Sequence, residues 1–305
     1  MRPSFTKVIA AGSLAIALAA TASCASSTKS RQNPTTTAPP ATSSTVPSTP
    51  APSTSMPTST TTTPTPATLD VRVYFMHGDK IDVAHRTVTA TRQIATAAMT
   101  ELLAGPNPTD SAAGLATAIP SASKLLGINI AGGVATVDLT GAFATGGGSL
   151  SMAGRLAQVT YTLTQFPTIN SVVFHLDGKA VTVFGGEGII LDHPATRGSF
   201  ESVTPAILVE FPGRGWAVQT PLRVSGSANV FEAQFQAELT DSAGRVIATQ
   251  NIHASAGTGT RGTFDTTIAF PVSASGPATL TVFDTSAKDG SRIDVVTIPL
   301  NLAGG

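Results

Sequence analysis

The hydrophobic pattern along residues 69–202 switches between the period of a strand and the period of a helix. The predicted elements follow the order β-β-α-β-β-α-β-β and are, in sequence, 69–76, 81–89, 91–104, 124–131, 134–140, 152–166, 171–176 and 180–184. The second helix has the clearest signal, because its apolar residues recur every three or four positions along one face. This order predicts an α+β domain in which helices pack on a sheet.

Turn residues support these boundaries. Gly132-Gly133 and Asp177-Gly178 separate neighbouring strand segments, and Asp-Gly is typical of a type I′ hairpin turn. Gly105 and Pro106 follow the first helix, and Pro167 follows the second, as expected where a helix ends.

Residues 203–305 contain short alternating segments separated by turns, without a helical pattern. The clearest alternation runs from Phe231 to Leu239, where apolar residues take the odd positions and Glu or Gln the even ones, so we expect the odd positions to be buried. The seven predicted strands are 207–211, 222–228, 231–239, 246–252, 262–270, 278–283 and 293–302. Seven short strands in about 100 residues predict an immunoglobulin-like sandwich, here without the Cys-Trp-Cys framework of antibody domains.

Residues 1–23 have the pattern of a lipoprotein signal peptide. Arg2 and Lys7 precede an uncharged stretch, residues 8–20. As a helix this stretch would span roughly 20 Å, too short for a bilayer core of about 30 Å. It ends at Thr21-Ala22-Ser23-Cys24, which resembles a lipobox. We therefore expect cleavage before Cys24 and lipidation of its thiol by a diacylglyceryl group and palmitate-type chains, which would anchor the protein stably.

Cys24 is the only cysteine of the sequence, so it has no disulfide partner within the chain. The alternative is an ordinary secretory signal followed by an incidental cysteine.

Residues 24–68 have the composition of a disordered tether. Of the 44 residues from 25 to 68, 33 are Ser, Thr or Pro, and the only charges are Lys29 and Arg31. Such a segment buries too little apolar surface to offset its ordering entropy. In an extended polyproline conformation it would reach up to roughly 130 Å at about 3.1 Å per residue. Its composition is also that of O-glycosylated stalks.

The remaining 237 residues, 69–305, are enough for two domains, 69–202 and 203–305. Without the signal peptide, 16 basic and 18 acidic residues remain, a net charge of about −2. Only 12% of the whole chain is charged, and no basic run is present. We therefore expect no nucleic-acid partner.

Several segments of residues 69–200 together resemble the GerMN domain, named after a bacterial sporulation and germination protein. They are Leu102 to Pro106, Thr117 to Pro120, Val137 to Thr140, and Arg155 to Pro167. Pro221 to Ala233 and Asp284 to Ser291 resemble the immunoglobulin-like domain of bacterial spore germination proteins. The resemblance implies a role in envelope or cell-wall assembly, with self-association as a further expectation. It does not imply sporulation, because related lipoproteins occur in non-sporulating actinobacteria.

Two patterns could indicate catalytic or metal-binding chemistry. Ser121-Ala122-Ser123-Lys124 matches the Ser-x-x-Lys motif of penicillin-recognising enzymes, but Pro120 precedes it and a predicted strand follows, so we expect a polar loop. No histidine pair has His-x-x-x-His spacing; His85 and His175 could meet across a sheet, although strand histidines are usually structural. The five histidines are His77, His85, His175, His193 and His253.

Three further features could indicate binding sites. Asp284, Asp289 and Asp294 suggest calcium but lack EF-hand spacing, so we expect a solvated hairpin. The amides of Gly146 to Gly148 could face an anion, but no P-loop lysine follows, which favours a plain loop. Arg214 and Trp216 could form an exposed contact patch, and local packing of the tryptophan is the favoured interpretation.

These patterns lead to one main hypothesis and two alternatives. The main hypothesis is a non-enzymatic envelope lipoprotein on the extracytoplasmic face of the cell membrane, with no catalytic residue, metal or cofactor. Its partner would be an envelope or cell-wall protein or glycan. The first alternative is a solute- or glycan-binding lipoprotein, which a deep pocket between the domains would favour. The second is a wall-active serine enzyme using Ser121 and Lys124.

Overall fold

The structure, a computed structural model, describes residues 66–186 and 188–304, which lie within one compact unit spanning residues 62–305. Cys24 and almost all of the predicted tether lie outside the described residues. No helix in the described ranges is long and apolar enough to cross a bilayer.

Within residues 66–186 and 188–202, the first domain contains three α-helices and nine strands. They are β1 Thr68–His77, β2 Lys80–Thr89, α1 Ile94–Ala104, α2 Pro108–Ala112, β3 Leu115–Ala116, β4 Leu125–Ala131, β5 Val134–Leu139, α3 Ser149–Leu163, β6 Ser171–Leu176, β7 Lys179–Ala180, β8 Val183–Phe184 and β9 Ile189–Ile190. Two 3-10 helices, Gly141–Ala144 and Arg197–Val203, complete the domain. The strands form three sheets with the orders β2-β1-β3, β4-β5-β6-β7 and β8-β9.

Strand β1 is buried on both faces. Val71, Val73 and Phe75 are buried as predicted, and Val71 packs with Ala98 of α1. Tyr74 is also fully buried, and its ring lies 5.3 Å from the ring of Tyr161 on α3. Helices therefore cover both faces of this strand, which explains its nearly continuous apolar run.

Helix α3 lies at the centre of the first domain. It connects the parallel strands β5 and β6, a geometry that requires a crossover connection. Ten consecutive residues, 154–163, are buried, so the helix is enclosed by protein on nearly all sides. Its predicted apolar stripe is confirmed, but Phe166 lies beyond the helix end at Leu163 and packs from the following turn.

The second domain is a two-sheet sandwich. Its strands are β10 Ile207–Phe211, β11 Ala217–Val218, β12 Leu222–Ala228, β13 Gln234–Asp241, β14 Val246–His253, β15 Gly262–Ile268, β16 Gly276–Thr285 and β17 Arg292–Leu302. One sheet has the order β10-β12-β15 and the other β11-β17-β16-β13-β14, and their inner faces share one apolar core. The predicted α+β domain followed by an immunoglobulin-like sandwich is confirmed.

The predicted burial of Phe231 is wrong. Residues Phe231–Ala233 form a 3-10 turn before β13, and Phe231 is 63% exposed. Glu232 and Ala233 have φ of 53° and 58°, and the amide of Ala233 donates to the carbonyl of Val230. This turn interrupts the alternating pattern, which holds only from Phe235 onward.

Two predicted boundaries in the first domain also differ. Helix α1 begins at Ile94 rather than Thr91, because the amide of Gln93 donates to the hydroxyl of Thr91 in a local turn. The hairpin at Asp177-Gly178 has the positive φ values of a type I′ turn, but across this turn β6 pairs with only two residues, Lys179–Ala180. Val183–Phe184 instead pairs with Ile189–Ile190.

Candidate functional site

Strand β10 joins the two domains, because its side chains alternate between two cores. Ile207 and Val209 belong to the core of the sandwich, whereas Leu208 belongs to the core of the first domain. Glu210, next in the alternation, points the same way as Leu208 and contacts residues of β1. The strand is buried on both faces. The contact between the two domains runs along this strand and is called the seam.

Glu210 is the centre of a buried polar cluster at this seam. Its Oε1 accepts hydrogen bonds from the hydroxyl of Tyr74 and from Nη1 of Arg197, the latter at 2.7 Å. Its Oε2 lies 3.3 Å from Nη1 of Arg72. The Arg197 guanidinium also lies over the ring of Tyr161, 4.6 Å from its centroid. One carboxylate of the second domain thus binds two cations and a hydroxyl of the first.

The cluster keeps Glu210 ionised at neutral pH. Burial acts to raise the pKa of this carboxyl, but the charges of Arg197 and Arg72 and the hydrogen bonds from Tyr74 and Arg197 outweigh burial. The pKa of Glu210 therefore lies below its ordinary value. Burial and the adjacent Glu210 charge raise the pKa of Tyr74, so this phenol stays protonated and remains a donor.

His85 makes a second link across the seam. Its Nε2 lies 3.0 Å from the carbonyl oxygen of Glu210, and its Nδ1 lies 2.7 Å from Oδ2 of Asp70. Both partners are acceptors, so only the doubly protonated imidazolium can donate to both at once. The ring also packs edge-on against Trp216, with 4.5 Å between centroids.

Close packing at this contact requires a glycine at position 213. A Cβ at Gly213 would lie 2.6 Å from the Trp216 ring and 3.0 Å from the His85 ring. Trp216 also packs edge-on against Phe211. The predicted packing of Trp216 is therefore observed, and its partners include a residue of the other domain.

A third link ties the connecting 3-10 helix to the sandwich. Glu201 accepts two hydrogen bonds from Arg261, at 2.8 Å and 3.0 Å, and one from Asn229 at 2.8 Å. The hydrogen bond from Arg261 is the largest influence on the pKa of Glu201, which lies below its ordinary value. One bidentate ionic contact thus joins residues on the two sides of the domain boundary.

Beside these links lies an open cleft of about 350 Å³ between β2 of the first domain and strands β10 and β17 of the second. Its charged residues are His77, Lys80, Asp82 and Arg214. The carboxylate of Asp82 pairs with Arg214, and its Oδ2 lies 3.4 Å from Nδ1 of His77. Arg214 also donates to the carbonyl of Thr297 at 2.7 Å. Its guanidinium is therefore held in place by both domains.

The Ser-x-x-Lys segment is a turn in the structure. Ser121 and Lys124 precede β4 and are both exposed, and the amide of Lys124 donates to the hydroxyl of Thr140 at 3.0 Å. The helical geometry that places serine and lysine side by side does not form at this position.

The structure does not bring the histidines together. His85 lies on β2 in the sheet β2-β1-β3, and His175 lies on β6 in the sheet β4-β5-β6-β7. The suggested meeting of these two residues across one sheet is therefore wrong. Within residues 66–186 and 188–304, no three His, Cys, Asp or Glu side chains converge as metal ligands.

The aspartates of the last hairpin make local contacts. Asp289 accepts from the amide of Ser291 at 3.1 Å, and Asp284 accepts from the amide of Thr285 at 2.7 Å. Burial, with the nearby charge of Asp284, raises the pKa of Asp294.

The glycine loop before α3 presents carbonyl groups to a buried cation. Arg155 on α3 is 2% exposed, and its guanidinium donates to the carbonyls of Phe143, Thr145 and Gly146 at 2.6, 3.1 and 2.8 Å. Arg155 therefore stabilises this loop from within the core.

Sequence patterns missed the central residues of the seam. Glu210 and Tyr74 sit in apolar strand runs, and Arg197 lies outside any predicted element. One feature of the sequence does indicate a buried polar contact. Glu210 is a charged residue within the apolar run Ile207 to Phe211, and a buried charge needs a partner.

Two family models match the chain in succession. Residues 72–182 match the family described as Germane, sporulation and spore germination. Residues 206–291 match Gmad2, the immunoglobulin-like domain of bacterial spore germination.

The chain carries a Germane domain followed by a Gmad2 domain. The seam described above is thus the contact between these two germination-type domains.

The solved structures that match the chain include GerMN domains. The tandem GerMN domains of the sporulation protein GerM from Bacillus subtilis are 14% identical, with 60% of this chain and 59% of that chain covered and a TM-score of 0.37. The first GerMN domain of the same protein is 19% identical, covering 43% and 98%, with a TM-score of 0.35.

A crystal structure described as "Putative Lipoprotein from Clostridium perfringens" is 21% identical, covering 47% of this chain and 98% of that chain, with a TM-score of 0.33. All three scores lie below 0.5, so the assignment of the domains rests on the family models. No curated protein matches the chain.

Proposed function

We propose that the protein is a lipid-anchored, non-enzymatic binding module or scaffold of the cell envelope, in which the Germane and Gmad2 domains act as one body. The observation that carries the proposal is the seam. Strand β10 contributes to both cores, and Glu210 binds Arg72 and Arg197 across it. A fixed pair of domains suits a protein that presents a defined surface to a partner.

The chemistry of the seam supports positioning rather than proton transfer. A general acid or base works best with a pKa near the operating pH. The pKa of Glu210 instead lies below its ordinary value, and Tyr74 stays protonated. Glu210 thus holds a fixed charge and Tyr74 a fixed hydrogen-bond donor, and both stabilise the arrangement of the domains.

The proposed anchor comes from the sequence. Cys24 follows a short apolar segment in a lipobox-like context, and the Ser/Thr/Pro-rich residues 25–68 separate it from β1. The two domains would then work on the extracytoplasmic face, at a distance from the membrane set by this tether. Their partner would be an envelope or cell-wall protein or glycan.

Cell fractionation of a Cys24→Ala variant tests the anchor. The wild-type protein should be in the membrane fraction and leave it only with detergent. The variant should be released into the medium or remain as an unprocessed precursor. Ser27→Ala, three residues further on, is the control and should behave like wild type. Normal processing and anchoring of Cys24→Ala would contradict the proposal.

An assay for turnover tests the non-enzymatic part. The purified full chain should hydrolyse neither peptidoglycan nor peptide or ester substrates. Turnover that a single substitution such as Ser121→Ala abolishes would show an enzyme instead.

The cleft supports a second candidate function, the binding of a small solute or glycan. Ligand sites in proteins begin at about 300 Å³ and favour boundaries between domains. The cleft of about 350 Å³ meets both conditions. A ligand that binds only the folded protein would raise its melting temperature, and the stabilisation grows with the logarithm of the ligand concentration relative to Kd. Screening small glycans and solutes for such a shift tests this function.

A further inference from the structure

The cleft between the domains combines apolar walls with an excess of positive charge. Ile81, Val295 and Val296 contribute apolar surface, and Val295 is 50% exposed although it lies on a strand of the sandwich. The ionisable lining residues other than His77 are two cations, Lys80 and Arg214, against one carboxylate, Asp82. The lining residues thus sum to one positive charge even when His77 is neutral, and outside the lining the carboxylates of Asp79 and Glu201 act on Lys80.

The carboxylate of Asp82 is already occupied. Its Oδ2 pairs with Arg214 and faces His77, and its Oδ1 accepts from the amide of Val83 at 2.7 Å. It therefore cannot also neutralise Lys80.

Lys80 retains free donor capacity. Its ammonium group has three donors, and one is used by the carbonyl of Ser202 at 2.8 Å. Its acidic neighbour Asp79 lies 3.9 Å away with a side chain that is 70% exposed, so this pair is weak. Lys80 can therefore donate to an anion that enters the cleft.

Arg214, whose charge is already paired with Asp82, gives the same anion ordered N–H donors. Its guanidinium is held between Asp82 of the first domain and the carbonyl of Thr297 in the second. A cation that is already ordered loses little entropy when a ligand binds. The two cations come from different domains, so the anion would contact both.

We infer that the cleft binds the free C-terminal carboxylate of a short peptide with small aliphatic side chains. The carboxylate lies between Lys80 and Arg214, and the aliphatic groups pack against Val295 and Val296. The volume favours a ligand of this size over a larger one, since it is near the lower limit for ligand sites. This inference deepens the proposed function, on which it rests, by giving the binding module a ligand class.

The test is a titration of the detergent-solubilised full chain with acetyl-D-alanyl-D-alanine. Calorimetry measures the affinity, and the fluorescence of Trp216, the only tryptophan of the sequence, reports a change next to the cleft. Acetyl-L-alanyl-L-alanine is the second arm, because it separates the ends of cell-wall peptides from the ends of ordinary proteins. The C-terminal amide of the D,D peptide is the third arm, because it removes only the charge.

We expect the acid to bind and the amide to bind about tenfold or more weakly, since a charged hydrogen bond is lost. Preference for the D,D acid would identify cell-wall peptide ends, and equal binding of both acids would indicate peptide carboxylates in general; both results support the inference. Equal binding of acid and amide, or no binding of either acid, overturns it.

Variants locate the site. Lys80→Met removes the charge and keeps the aliphatic stem, and it should weaken binding of the acid about tenfold without changing that of the amide. Val295→Phe fills the cleft without changing charge and should abolish binding of both. Lys179→Met, on the exposed strand β7, is the matched control. If Lys80→Met impairs folding, Val295→Phe still decides the location, because unchanged binding there overturns it.

The outcome is separable from that of the proposed function. If Cys24→Ala is released from the membrane and no peptide binds, the inferred ligand class is wrong and the lipid-anchored binding module still holds. If the peptide binds and Cys24→Ala remains anchored, the ligand class holds and the proposed lipid anchor is wrong.

Discussion

Gln165 pairs with the main chain of Arg72 in the way that a neighbouring strand would. Its Oε1 accepts from the amide of Arg72 at 2.8 Å, and its Nε2 donates to the carbonyl of Arg72 at 2.6 Å. On α3, Thr162 accepts from the amide of Tyr74, and Gln158 donates to its carbonyl. Strand β3 pairs only with the last two residues of β1, so polar side chains satisfy the main chain of Arg72 and Tyr74 on this strand edge.

Replacing Gln165 by leucine should therefore destabilise the protein. The change leaves an amide and a carbonyl of Arg72 without partners in a partly buried position. We expect a loss of about 2 kcal/mol in the free energy of unfolding, measured by urea denaturation of the full chain. Gln219→Leu, at an exposed loop position, is the control. Equal effects of the two substitutions would contradict the role given to Gln165.

Replacing Glu210 by glutamine should weaken the seam. The variant leaves Arg72 and Arg197 facing each other without their shared carboxylate. Breaking a buried ion pair costs about 3–5 kcal/mol, and the arginine side chains here are 27% and 26% exposed, so we expect about 3 kcal/mol. Denaturant unfolding measures this loss.

The matched control for Glu210→Gln is Asp265→Asn. Its pair with Arg223 is exposed to solvent on both sides, so the change should have little effect. A loss for Glu210→Gln no larger than that for Asp265→Asn would show that the seam does not depend on this carboxylate.

Acid should destabilise the protein through the same groups. The pKa values of Glu210 and Glu201 are depressed in the folded state, so their contribution is present above the pKa of the unfolded chain, about 4.3. It is lost as the pH falls through the lower, folded values. The free energy of unfolding should decrease below about pH 5. Because a glutamine side chain cannot titrate, the Glu210→Gln variant should show a shallower decrease, and identical slopes would count against this assignment.

Replacing Thr160 should stabilise the protein rather than destabilise it. Its side chain is fully buried on α3, and its hydroxyl has no hydrogen-bond partner among the residues that the structure describes. Thr160→Val keeps the shape and removes the unpaired polar group. We expect a gain of about 1 kcal/mol in thermal or denaturant unfolding. Thr162→Val is the contrasting variant. It removes the hydroxyl that accepts from the amide of Tyr74, so it should destabilise the protein.

The periodic parts of the fold were accessible from the sequence. Segments such as 134–140 and 262–270 alternate because one face is buried, and that period survives in β5 and β15. The failures fall where a threonine hydroxyl accepts from a main-chain amide and competes with the pattern, as Thr91 does for Gln93 and Thr258 for Glu232. The bond to Gln93 is local, whereas the bond to Glu232 comes from a residue 26 positions away, which periodicity does not reveal.

The seam was less accessible, because it arises from long-range contacts. Arg72 and Glu210 are 138 positions apart, and neither carries a motif. The polar residues of α3 were visible as the segment Arg155 to Pro167, but only the structure shows that they complete a strand edge and hold a loop.

The double use of strand β10 has a consequence for how such proteins can be rearranged in evolution. The border between the domains runs through alternate side chains of one strand instead of through a free linker. A gene fusion that put this Gmad2 domain behind another neighbour would have to supply an apolar pocket for Leu208 and countercharges for Glu210. The two domains are therefore expected to be inherited as a pair, and their contact residues to change together.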